Sequence, residues 1–302
     1  MGGRIPGIGR PARFAAPLGL ALLAAACTGE RAAVPDALRV VDDAGDTVAL
    51  ARPAVRVVSL LPAFTELLFA LGGDGVVVGR TTWCDWPPAA ASVPSVGDGL
   101  APNIEAIVAR RPDLVLVYRS GANGEAVARL RGLGIAVAQF RTDGLADLAR
   151  AARGVATLLG RPEAGEGYAA AFEDSLARVR APAPREPLRA LILVGDQPPI
   201  AIGPASYLSE LVVLAGGTNA FADLEGASAP VSLEAIAARD PDVVLVLGAD
   251  PPPAFRRGEW HAVRAVREGR VLPLAGSAWD RPGLRSPAAV RELTARFAEV
   301  GP

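Results

Sequence analysis

Two tryptophans, a cysteine and an aspartate share one nine-residue loop, Arg80-Thr-Thr-Trp83-Cys84-Asp85-Trp86-Pro-Pro88. A thiol beside a carboxylate is a candidate metal-ligand pair, and two indoles are a candidate stacking surface. The metal reading lacks partners. A structural zinc centre takes four N, S or O ligands, whereas the chain holds 2 cysteines, one of them at position 27, and 1 histidine. Cys84 therefore reads as a small apolar loop residue, and His261, after Trp260, as a solvent-facing one. No metal site and no cofactor are expected. Catalytic chemistry fares no better. A serine or cysteine hydrolase needs a base, and His261 stands outside any Gly-x-Ser-x-Gly context. No Gly-x-Gly-x-x-Gly follows the first strand, so a dinucleotide-dependent dehydrogenase lacks its phosphate turn. Carboxylates are plentiful, but nothing places two of them in one pocket. The sequence reads as a binder rather than an enzyme.

The elements that must position these residues are written twice. Asn103 to Val117 reads NIEAIVARRPDLVLV and Ser232 to Val246 reads SLEAIAARDPDVVLV, with 10 of 15 positions identical. Each copy opens on a residue suited to cap a helix, continues with apolar residues at helical spacing, stops at a proline and enters a β-branched strand. A second echo precedes each copy, TELLFALGG at 65–73 and SELVVLAGG at 209–217. Glu66 and Glu210 thereby fall at matching positions, each six residues before the first glycine of a Gly-Gly pair. Two similar α/β lobes are expected, spanning 37–142 and 188–302, with a cleft between them as the place for a ligand. Leu38 to Leu50 reads as a hairpin. Helices over 145–159 and 163–179 lie in a connector spanning 143–187. A single connecting helix of about 17 residues spans roughly 25 Å and resists bending, so little opening and closing is expected.

The first 27 residues form a leader. Arg4, Arg10 and Arg13 precede an apolar stretch from Phe14 to Ala26 that is too short to span a membrane. Its end, Leu22-Leu-Ala24-Ala-Ala-Cys27, resembles a bacterial lipobox, with Ala24 where leucine is usual. Either Cys27 is acylated or the leader is simply cleaved; both place the mature chain outside the cytoplasm, with residues 28–36 as a linker. The formal net charge is −1, and −4 without the three leader arginines, too small to call for a nucleic acid or other polyanion. Cys84 is then the last thiol, so no internal disulfide can form.

The runs Arg56-Val-Val-Ser-Leu-Leu-Pro-Ala-Phe-Thr-Glu66, Asp85-Trp-Pro-Pro88, Glu105-Ala-Ile-Val-Ala-Arg-Arg-Pro-Asp-Leu-Val-Leu and Arg281-Pro-Gly-Leu-Arg285 resemble the substrate-binding proteins of cobalamin and iron-chelate ABC importers. Gly195-Asp-Gln-Pro-Pro199 and Tyr118-Arg-Ser-Gly-Ala-Asn123 are most similar to the vitamin B12 branch, although Ser277 stands where that branch carries an acid. The resemblance covers residues 37 to 299. It implies the class III periplasmic binding protein fold, two Rossmann-like α/β lobes joined by one long backbone helix. It also implies a monomer that captures a corrinoid, or alternatively a ferric siderophore or haem, and passes it to a permease dimer. A corrinoid is a broad disc fringed with amides, which calls for aromatic walls and amide-pairing side chains. Phe64, Trp83, Trp86, Tyr118 and Trp279 are the candidate walls, with Arg119, Gln197 and Arg281 as polar partners. Glu66 and Glu210 are the candidate pair for docking on the permease.

Overall fold

The computed structural model describes residues 37–182 and 184–301; the leader and the Cys27 expectation lie outside them. Strands β1 (Leu38–Val41) and β2 (Thr47–Leu50) form an antiparallel hairpin. The first lobe is built on β3 (Val57–Ser59), β4 (Val77–Arg80), β5 (Leu114–Tyr118) and β6 (Ala136–Phe140), an all-parallel sheet in the order β4-β3-β5-β6. The second lobe contains β7 (Arg189–Asp196), β8 (Pro199–Ile202), β9 (Thr218–Asn219), β10 (Ser228–Pro230), β11 (Val243–Leu247) and β12 (Val271–Leu274). Its order is β10-β8-β7-β11-β12, with β9 also on β7. The segment 195–199 is the tip of an antiparallel β7–β8 hairpin with a cis Gln197–Pro198 bond.

The helices follow in chain order: α1 (Pro62–Ala70), α2 (Ile104–Ala109), α3 (Gly124–Gly132), α4 (Leu145–Leu158), α5 (Pro162–Val179), α6 (Tyr207–Leu214), α7 (Leu233–Arg239), α8 (Arg264–Arg267), α9 (Ser277–Asp280) and α10 (Ser286–Val300). Among the described residues no helix is long and apolar enough to cross a membrane.

The duplicated unit folds the same way in both places, and its shared residues say why. Asn103 Oδ1 accepts from Ala106 N at 2.9 Å, and Ser232 Oγ accepts from Ala235 N at 3.1 Å, so each helix is capped by its own first polar residue. Arg111 and Asp240, just before the two prolines, both take a left-handed backbone, with φ of 48° and 43°. That conformation is uncommon for residues with a side chain, and its recurrence marks the same sharp exit from helix to strand. The aspartate after each proline fastens the start of the neighbouring strand. Asp113 accepts from Val55 N and Arg56 N at 3.0 Å, and Asp242 accepts from Arg189 N at 2.9 Å. The strands that follow, β5 and β11, are valine- and leucine-rich and buried except at their last residue, as expected for central strands covered on both faces.

The connector holds the two expected helices, the shorter α4 packed against the long 18-residue α5. Leu145, Leu148 and Ala149 at the start of α4 lie in the second lobe's core, while Ala151, Ala152, Val155 and Ala156 further along lie in the first lobe's core. From α5, Ala169 and Phe172 join the second core, and Tyr168 packs against both. Stiffness therefore comes from helices rooted in both lobes.

Candidate functional site

In open parallel sheets, ligands sit in the crevice outside the carboxyl ends of the strands. Here the loop after β4 faces the segment after β12, because Asp85 meets Arg281 Nη2 at 2.5 Å. Segments that follow the carboxyl ends of β4 and β12 thus meet. On the first-lobe side the loop 81–88 presents Trp83, 64 % exposed, and Trp86, 43 % exposed. The Arg285 guanidinium lies 4.8 Å from the centre of the Trp86 ring. Cys84, at the root of this loop, is fully buried with its sulfur 3.1 Å from Thr81 Oγ1, and His261 is exposed. Among the described residues there is no group of three or more metal-binding side chains.

At the end of β5, Tyr118 is half-buried and donates its hydroxyl to Asp143 Oδ1 at 2.5 Å. Burial, then that hydrogen bond and the charge of Asp143, push the phenol up to about 12. The group is held neutral and hydrogen-bonded. Beside it, Arg119 Nε and Asn123 Oδ1 are buried without a protein partner, although Asn123 Nδ2 donates to the Tyr118 carbonyl at 2.9 Å. On the second-lobe side Gln197 is exposed at the β7–β8 tip, and with its amide turned so that the oxygen faces Arg257 it accepts from Nη1 at 3.0 Å.

The structure corrects several expected positions. Phe64 is 0 % exposed and packs edge-on against Phe140, with ring centres 6.3 Å apart. It is core because α1 turns that face onto the sheet. Trp279 is 1 % exposed and belongs to the second lobe's core, leaving only its carbonyl to accept from Tyr207 Oη. α9 rolls the indole inward, so the second lobe offers no tryptophan wall there. Arg281 is held between Glu66 and Asp85 with only 10 % of its side chain exposed, which leaves no free guanidinium for a ligand. Glu66, 11 % exposed, is occupied by Arg281 and Arg285, and Glu210 turns inward to Leu145 N. Neither glutamate is presented for docking. Of the expected residues, Trp83, Trp86, Tyr118, Arg119 and Gln197 keep accessible surface at the strand ends.

The duplicated unit carries another matched acidic pair. Glu105 and Glu234 occupy the same place in the duplicated unit, in the first turns of α2 and α7, and both are exposed, Glu105 by 76 % of its side chain. Glu234 is held below the usual carboxylate range by its own backbone N–H and by Ser232. The signal was present in the repeat itself, which carries glutamate at that position in both copies. Leu100, an exposed apolar residue on the loop running beside Thr82, had no such signal.

Two α/β lobes, a rooted helical connector and exposed indoles on a strand-end loop define a solute-binding protein of the periplasmic type. The sequence bears this out: residues 57–277 match the family model described as periplasmic binding protein, and the chain belongs to that family. It is 29 % identical over 243 residues to the vitamin B12-binding protein of Vibrio cholerae serotype O1, covering 80 % of this chain and 88 % of the relative. The solved periplasmic vitamin B12 binding protein BtuF of Vibrio cholerae superposes with a TM-score of 0.70 at 28 % identity, covering 82 % of this chain and 98 % of that one. The periplasmic heme-binding protein RhuT from Roseiflexus sp. RS-1, in apo form, superposes with a TM-score of 0.72 at 28 % identity, over 81 % and 98 % of the two chains.

Proposed function

We propose that this protein is the extracytoplasmic solute-binding component of an ABC importer and that it holds cobalamin or a related corrinoid between its lobes. The observation that carries the reading is the exposed tryptophan pair, Trp83 and Trp86, on a loop at the carboxyl end of the first sheet. Trp83 is open to solvent and Trp86 is covered on one side by Arg285, and broad flat surfaces of this kind suit a large, partly apolar disc. Tyr118 and Arg119 are the residues that would serve the haem or ferric-siderophore alternative, the first as a phenolate released from Asp143 on binding iron. Arg119, Asn123 and Gln197 supply donors and acceptors suited to peripheral amides. Retention without turnover is expected, and no cofactor is required. Isothermal titration should give one-to-one binding of cyanocobalamin and little heat with hemin; the reverse preference overturns the corrinoid assignment.

A symmetric permease dimer meets a two-lobed donor best through matching groups on the two lobes. Glu105 and Glu234 fit that need, since both are exposed and equivalent by duplication. Replacing both with alanine is expected to leave cyanocobalamin affinity intact while weakening association with the cognate permease in membranes. The protein acts as a monomer and is tethered through an acylated Cys27. Mass spectrometry of the mature amino terminus would show diacylglyceryl-cysteine, and an unmodified end would remove the anchor.

A further inference from the structure

Glu66 and Glu210 match in sequence, and the structure gives them matching contacts with different chemistry. Each sits on the helix that opens its lobe's plan, α1 or α6, ahead of a glycine with positive φ, Gly72 at 70° and Gly216 at 89°. Glu66 reaches the segment leading into α10 of the other lobe, and Glu210 reaches the start of α4, the connector helix that begins in the second lobe's core and ends in the first lobe's. Glu66 crosses to Arg281 and, at 2.7 Å, to Arg285, just before α10. Glu210 crosses to the start of α4, where both carboxylate oxygens lie 3.3 Å from Leu145 N.

Both receiving segments carry a glycine where the carboxylate arrives. A Cβ on Gly283 would stand 3.3 Å from Glu66 Oε2, and one on Gly144 would stand 2.6 Å from Glu210 Oε1. Close approach is therefore built in on both sides. The first contact is ionic and bridges residues 215 positions apart in sequence. The second is a carboxylate facing helix amides, joined by a hydrogen bond from Tyr207 N to the Asp143 carbonyl at 2.5 Å. Each glutamate also borders a hollow beside the connector. One, of about 590 Å³, is lined by Glu66, Trp86, Tyr168 and Arg285. The other, of about 700 Å³, is lined by Phe172, Leu176, Glu210 and Val213.

We propose that Glu66 and Glu210 are positioning residues, one a strut from lobe to lobe and the other a strut from the second lobe to the connector helix α4, that together set the width of the cleft before any ligand arrives. This inference rests on the two-lobed binding cleft but not on the identity of its ligand. The ionic strut is the stronger, because a buried carboxylate shared by two guanidinium groups leaves uncompensated charge when it is removed. Asp85 extends it to the aromatic loop, so the position of Trp83 and Trp86 is coupled to the same arginine.

The test measures lobe separation directly. Spin labels at Glu125→Cys and Glu225→Cys, exposed sites on the first and second lobes, report the distance by double electron–electron resonance in a Cys27→Ser background. Cys84 is buried and does not compete for label. Without ligand, the parent is expected to give one narrow distribution. Glu66→Gln should broaden it and shift it to longer distance, Glu210→Ala should do so by less, and the double variant by most. Circular dichroism establishes that each variant is folded. Should Glu66→Gln fail to fold, Glu210→Ala alone decides. Folded variants with the parent's distribution overturn the proposal. With cyanocobalamin as probe, widening should speed dissociation by about tenfold. Absence of cyanocobalamin binding by the parent would sink the corrinoid reading and leave the distance result standing.

Discussion

The first lobe stacks four parallel strands and turns two tryptophans out of the loop after β4; the second adds an antiparallel hairpin and folds its Trp279 into its core. Both lobes nonetheless share the capped helix, the left-handed exit and the strand-fastening aspartate of the duplicated unit. The scaffold was kept in duplicate while the mouths diverged. One jaw supplies contact area, through Trp83 and Trp86. The other supplies polar reach, through Gln197 and Arg257.

That asymmetry can be broken most severely at the buried indole. Trp279→Ala should lower stability by about 3–5 kcal/mol, read as a large fall in melting temperature. A small fall would place the indole outside the core. Trp83→Ala should do the opposite: stability within about 0.5 kcal/mol of the parent, and cyanocobalamin affinity reduced by about 1–3 kcal/mol. Unchanged affinity would remove the aromatic jaw. The likeness of the lobes is sharpened by the two helix caps. Asn103→Ala and Ser232→Ala should each cost about 1 kcal/mol, and a strongly unequal pair of denaturation midpoints would deny the copies equal structural weight.

The smallest effect concerns pH. Burial raises the Glu210 carboxyl above its ordinary 4.5, the charge of Asp147 adds to this and the Leu145 N–H opposes it. Glu173 and Arg180 line the same hollow. The folded form binds this proton more tightly than the unfolded chain. Its contribution is therefore present below the ordinary value and lost as pH rises through the raised one. Glu210→Gln cannot ionise, so its melting temperature relative to the parent should climb as pH rises above the ordinary carboxylate value of 4.5. A constant difference across that range would refute the shift.

Much of the architecture was legible because it is local. The repeat, the hairpin over 38–50, the two connector helices and α10 follow from periodicity, caps and prolines close in sequence. Strands β8 and β10 were missed because their pairing is with distant segments, and a Gln-Pro-Pro run reads as a turn. The site was harder for a related reason. Phe64 and Trp279 differ from Trp83 in which way a short helix or loop turns them, and no pattern in the flanking residues encodes that direction. Glu66 looked like a free acid because its arginine partners lie in the other lobe, at the far end of the chain. Glu105 and Glu234 are readable, being identical letters in an evident repeat.

The helix α4 begins in one hydrophobic core and ends in the other. Neither sheet can melt without stripping apolar side chains from a helix that its neighbour still needs. Heating should therefore give one calorimetric transition whose van't Hoff and measured enthalpies agree. Either half expressed by itself would expose that shared helix to water, and such a half would survive only as a loosely ordered chain.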